Sequence, residues 1–186
     1  ELSMENEDNQ SESAFREKFA HMAYTCKKLG FNTLVVQVRP FADALYSSDL
    51  YPASHVLTGI QGEAAGYDAL KVMCEICGNF GLDIQAWVNP YRVKVNNVPN
   101  ELCDDNIFVK HPELCIETDS GIILDPSNAD ARQLIEDGVL EIAESYDIDG
   151  VQFDDYFYPA DIGETDYPEY MEYLDSHPSS GLSLER

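Results

Sequence analysis

Two adjacent carboxylates, Asp154 and Asp155, stand where an apolar run ends in Asp149-Gly150-Val151-Gln152-Phe153-Asp154-Asp155-Tyr156-Phe157-Tyr158-Pro159. Cleavage of a glycosidic bond passes through an oxocarbenium-like state. A carboxylate at a strand end can stabilise or covalently trap that state while a second carboxylic acid protonates the leaving oxygen. Asp154 continues the alternation of the run and is the candidate nucleophile or charge stabiliser. Asp155 is read as positioning its neighbour, binding a hydroxyl or binding a cation, and Tyr156 as an aromatic border of the same concavity. The competing reading is that the two carboxylates merely start a loop or cap a helix.

A second group is Ala86-Trp87-Val88-Asn89-Pro90-Tyr91-Arg92. Sugars present apolar C–H faces and hydroxyl edges, so Trp87 and Tyr91 suit stacking while Asn89 and Arg92 suit hydrogen bonding. Trp87 serves equally well as a core residue. A third group is Gln37-Val38-Arg39-Pro40-Phe41-Ala42-Asp43-Ala44-Leu45-Tyr46, in which Arg39 can pair with a strand-end carboxylate and Asp43 and Tyr46 share its loop. A structural salt bridge beneath the loop accounts for Arg39 as well. His21 falls in a helix, His177 in the tail, and His55 and His111 in loops. Their spacing suggests no metal triad, and they are read as surface or loop residues.

The elements that must hold these groups repeat one phrase three times. Phe15, Phe19, Met22, Cys26 and Leu29 recur at three- and four-residue intervals, so a helix is expected to Gly30, followed by a strand over Thr33–Val38. A long loop (39–66) leads to a helix from Asp68 to Phe80, closed by Gly81, and a strand over Leu82–Val88. Another loop (89–127) leads to a helix capped by Ser127 or Asn128, with Leu134, Ile135, Val139, Ile142, Ala143 and Tyr146 inward, and a strand over Asp149–Phe153. A polar tail with a short helix near Tyr167–Leu174 follows. The strands are short and almost continuously apolar, as in a parallel sheet covered on both faces. Short turns lie on one side of them and long strand-to-helix loops on the other, which is the plan of a (β/α)8 TIM barrel, with its site on the long loops. No glycine-rich phosphate loop follows a strand, which disfavours a doubly wound nucleotide-binding sheet. Three strands against the eight of a full barrel predict a partial barrel, truncated at both ends, with residues 1–12 a disordered lead-in and 13–186 the domain.

Composition narrows the partners. The chain has 186 residues and a formal charge of -24, a surface that repels phosphate backbones and anionic membranes, so no nucleic-acid partner is expected. No stretch approaches the roughly 18–20 apolar residues needed to span a bilayer, and the first residues carry no apolar signal region. Cys74 and Cys77 form a C-x-x-C on the apolar stripe of a helix, where thiols pack as small hydrophobes. No second pair completes a zinc site, so no metal or cofactor is expected. Cys103 and Cys115 can pair in an oxidising compartment, but spacing does not decide it.

Taken in order, Asn32–Pro40 with Asp43, Ala44 and Tyr46, then Gly66–Asp68, Ala86–Arg92, Leu124–Pro126 and Asp149–Pro159 resemble the motifs of the glycosyl-hydrolase-like family 10 domain of bacterial secreted and envelope proteins. The resemblance runs from about residue 14 to the end. It implies a TIM barrel that cleaves glycosidic bonds of a polysaccharide or oligosaccharide, such as an envelope or peptidoglycan glycan, in an extracellular or cell-envelope location. The strand carrying Asp154 is also similar to the nucleophile strand of the α-amylase family, with Gln152 where that family has arginine. The family's first and later strands, and the general acid expected from them, have no counterpart here, which implies that these residues alone are inactive. Two other readings stand beside this one: a non-catalytic carbohydrate-binding or degenerate barrel, and a hydrolase holding a hard cation on Asp154 and Asp155.

Overall fold

The computed structural model of the protein describes residues 11–154, 162–178 and 181. Helix α1 (Glu12–Lys28) begins where the Ser11 side chain accepts from Ala14 N. It buries Phe15, Phe19 and Ala23, spaced four apart on one face. The chain then turns through Gly30, whose φ of 89° a side chain would resist, into strand β1 (Thr33–Arg39). Helix α3 (Ala69–Phe80) is capped by Asp68, which accepts from Lys71 N, and by left-handed Gly81. It buries Leu70, Val72, Met73, Ile76 and Cys77 and feeds β2 (Asp83–Val88). Asn128 caps helix α5 (Ala129–Ser145), which leads to β6 (Gly150–Phe153).

These three strands form one parallel sheet in the order β1-β2-β6, with Val36 opposite Ala86 and Ala86 opposite Val151. Alternation divides its faces. Val38, Ile84, Ala86 and Val88 are buried in the main core with residues of α1, α3 and α5, whereas Val35, Gln85, Trp87 and Gln152 belong to the opposite, more open face. Asp149 ties the sheet at its lower end, since Ile84 N donates to its carboxylate and Asp149 N donates to Ile84 O, both at 2.8 Å. The expected helix-strand order, with short turns below and long loops above, is therefore the observed one. The architecture is three consecutive parallel strands and helices of a partial (β/α) barrel.

The loop of residues 89–127 departs from the expectation of an irregular connection. It holds a second sheet, antiparallel and ordered β3-β5-β4, from β3 (Arg92–Val95), β4 (Cys115–Thr118) and β5 (Gly121–Leu124). Four prolines in the segment masked these strands in the sequence, because the strands are only four residues long and lie between the prolines. Short helices α2 (His55–Thr58) and α4 (Ile107–Lys110) sit in the two long loops. Helix α6 (Tyr167–Ser176) closes the described chain, near its expected place. No helix among the described residues is long and apolar enough to cross a membrane.

Candidate active site

Asp154 follows β6 directly and Asn89 follows β2, and the parallel register sets Val88 beside Phe153. The two residues past the strand ends are consequently neighbours. Asn89 Nδ2 donates to Asp154 Oδ2 at 3.1 Å, and Asn89 Oδ1 accepts from Arg92 N at 2.9 Å. One amide thus orients the carboxylate and fixes the backbone that carries Arg92. The Arg92 guanidinium reaches to 4.0 Å from the same carboxylate oxygen, and its carbon lies 5.7 Å from the centre of the Phe41 ring. Asp154 Oδ1 is buried and makes no hydrogen bond among the described residues.

Arg39 ends β1 level with Val88, after a bulge that shifts the register between Gln37 and Arg39. The side chain is 1% exposed and lies in the core. Its guanidinium carbon sits 4.4 Å from the centre of the Tyr51 ring, and a terminal nitrogen lies against Gly138 of α5. The terminal nitrogens make no well-formed hydrogen bond among the described residues, and the cation rests on the π face of Tyr51. Burial pushes the Tyr46 and Tyr51 hydroxyls up from the usual phenol range, and the charge of Arg39 offsets part of that rise. Arg39 thus shares the strand-end level of Asp154 but packs against α5, and Tyr46 is buried beside it.

Asp43 is 0% exposed, and its Oδ2 accepts from His55 Nδ1 at 2.8 Å and from Gln61 Nε2 at 3.0 Å. In this geometry it orients other side chains and is covered from solvent. Trp87 is half-buried on the open face of the sheet, its Nε1 buried without a hydrogen bond among the described residues. Tyr91 packs on the small cluster of Ile116, Ile123 and Ile162, joining the second sheet to the start of the segment that carries α6. Asp155 and Tyr156 lie outside the described residues. Of the expected site residues, Asn89, Arg92 and Asp154 are brought together in direct contact. His55, expected as a surface or loop residue, and Gln61, which no motif marks, both bind Asp43; their signal in the sequence is their place in its loop, and pairing across such a loop leaves no periodicity to read.

The fold is a partial (β/α) barrel with its candidate site at the strand ends. The chain belongs to the glycosyl hydrolase-like 10 family, whose model matches residues 6–183. It is 36% identical over 159 residues to glycosyl hydrolase YngK of Bacillus subtilis, covering 85% of this chain and 31% of that protein. To glycosyl hydrolase DigH of Escherichia coli it is 34% identical over 173 residues, covering 87% of this chain and 38% of that protein. The chain therefore spans about a third of the length of the curated relatives it matches. Among solved structures, the fold is similar to a GH36 α-galactosidase of Geobacillus stearothermophilus, with a TM-score of 0.53 at 21% identity over 92% of this chain and 21% of that one. It is also similar to a hypothetical protein of Ruminiclostridium thermocellum, with a TM-score of 0.55 at 17% identity over 90% of this chain and 87% of that one.

Proposed function

We propose that the protein carrying this chain is an O-glycosyl hydrolase that cleaves a polysaccharide, an envelope glycan such as peptidoglycan being the favoured class, and that it works at the cell envelope or outside the cell. The observation that carries the reading is the contact of Asn89 and Arg92 with Asp154 just past the ends of adjacent parallel strands. Donors and a cation around one carboxylate keep it ionised and oriented, the state in which it can face a developing oxocarbenium charge. Asp154 is the proposed nucleophile or charge stabiliser, and Asp155 is its proposed partner in binding a hydroxyl. Arg92, Tyr91, Trp87 and Tyr156 are proposed to line the path of the sugar. Arg39, Asp43 and Tyr46 are proposed to support that surface from beneath.

Glycosidic cleavage asks for two carboxyl groups, roughly 5–5.5 Å apart with retention or 6.5–9.5 Å with inversion, and they usually come from different strands. One such group is identified on these strands, so these residues on their own are expected to bind glycan and turn it over slowly or not at all. Release of reducing ends by the full-length protein from peptidoglycan, chitin-type and plant-type glycans tests the reading. Turnover on one class supports it. Binding without turnover by the full-length protein favours a degenerate, carbohydrate-binding barrel, and turnover that disappears on removal of divalent ions favours metal-dependent hydrolysis.

A further inference from the structure

We propose that His55 is a substrate-contacting residue of the strand-end site, its imidazole held by buried Asp43 so that Nε2 meets a sugar hydroxyl. The proposal rests on the glycan-cleaving reading above and extends it to a residue outside the strand-end motifs. Asp43 lies wholly inside the loop that follows β1, where withdrawing a carboxylate from water costs several kcal/mol; Oδ2 takes both of its hydrogen bonds, and Oδ1 is buried with none among the described residues. A carboxylate only accepts, so the nitrogen 2.8 Å away, His55 Nδ1, carries the hydrogen. That leaves Nε2 as the ring nitrogen with no partner among the described residues, on a side chain 16% open to solvent. An imidazole with one nitrogen held by a carboxylate has its tautomer and ring direction fixed.

Asp43 is itself held in place. Gln61 donates from Nε2 to Asp43 Oδ2 at 3.0 Å, and its Oε1 accepts from Asn106 Nδ2 at 3.0 Å and from Cys103 N at 3.3 Å. Both ends of the amide are committed, one to an acceptor and the other to donors, so turning it over would break every one of these bonds. Gln61 and Asn106 are buried, and the bridge joins the two long loops above the strands.

The imidazole adjoins the site through one ring. Phe41 meets His55 edge to face, with centroids 5.2 Å apart, and the same ring lies 5.7 Å from the Arg92 guanidinium carbon, which is bound to the group standing 4.0 Å from Asp154. Arg92 and His55 therefore adjoin one aromatic ring, and a sugar laid beside Asp154 over these loops would meet both. A histidine that served packing alone would not need a buried carboxylate to fix its tautomer.

The test uses the full-length protein, solubilised peptidoglycan glycan chains as substrate, and the variants His55→Ala, His55→Gln and Asp43→Asn. His55→Ala should raise KM roughly 5- to 20-fold, the loss of about one hydrogen bond, with a smaller change in kcat. His55→Gln, which can return a polar atom near the position of Nε2, should recover most of the loss. Asp43→Asn should raise KM alone and add little in the His55→Ala background, because it acts through the imidazole. An unchanged KM in both His55 variants, whatever happens to their melting temperatures, overturns the proposal, as does an Asp43→Asn effect that is equal with and without His55. Failure of the parent reading looks different: the unmodified protein would neither bind nor cleave peptidoglycan, chitin-type or plant-type glycans, and both proposals would fall together.

Discussion

Asn89 Nδ2 donates to Asp154 Oδ2 at 3.1 Å across the ends of β2 and β6, and Oδ1 of the same amide accepts from Arg92 N at 2.9 Å. A single side chain thus couples the carboxylate to the residue that brings a positive charge to it. This coupling follows from register: Val88 pairs with Phe153, so the next residue on each strand projects into shared space.

Removing that amide should therefore cost more than one contact. In the full-length protein Asn89→Ala is expected to lower kcat/KM by roughly 10- to 150-fold, the worth of one hydrogen bond to a charged group. Steady-state kinetics on the cleaved glycan measure it. A change of less than about threefold would mean that the orientation of Asp154 does not depend on Asn89.

Gly138, in the middle of α5, should resist substitution although helix propensity favours alanine there by about 1 kcal/mol. A Cβ at this position would collide with Arg39 Nη1 and lie 2.6 Å from Tyr51 Cε2. Overpacking of this kind costs about 1–3 kcal/mol, so Gly138→Ala is expected to lower the melting temperature. The loss should shrink in an Arg39→Ala background, where the collision with the guanidinium is removed and that with Tyr51 remains. A Gly138→Ala protein more stable than the original would show that Arg39 does not pack on α5.

Burial pushes the thiols of Cys77 and Cys115 up to about 12 and that of Cys74 up to about 11, from an ordinary value of 9.0. All three should therefore react slowly with iodoacetamide at pH 8 until the protein is unfolded. The linkage has a definite sign. Between the ordinary value and the raised one the unfolded chain loses protons that the folded chain keeps, so stability is fully present below about pH 9 and falls as pH rises through 11 to 12. Urea midpoints measured from pH 7 upward should hold level and then decline. A midpoint that rises above pH 9 would contradict the burial of these thiols.

The parallel strands and their helices were legible because each leaves a local trace. Phe15 and Phe19 recur at helical spacing, and β-branched residues dominate the run from Thr33 to Val38. Asp154 and Asn89 were legible as candidates because they directly follow such strands, and Arg92 because it lies in the same short polar and aromatic run after Asn89. The antiparallel sheet was not, since Cys115–Thr118 and Gly121–Leu124 are too short for a clear alternation. Nor was the inward turn of Arg39, which depends on a bulge after Gln37 and on the absence of a side chain at Gly138, ninety-odd positions later in the same core. The bond between Asp43 and His55 belongs to the same class, being made by a loop folding on itself.

If Asp154 is the charged group on which glycan cleavage turns, Asp154→Asn in the full-length protein will remove the activity and spare the fold. The substitution keeps the volume and leaves an oxygen to accept from Asn89 Nδ2, so melting temperature and glycan binding should stay close to those of the unmodified protein. Release of reducing ends from the cleaved glycan should fall by on the order of a thousandfold or more, as when a reacting carboxylate is replaced by an amide. Turnover within a few-fold of the unmodified protein would rule Asp154 out and move the chemistry to another residue.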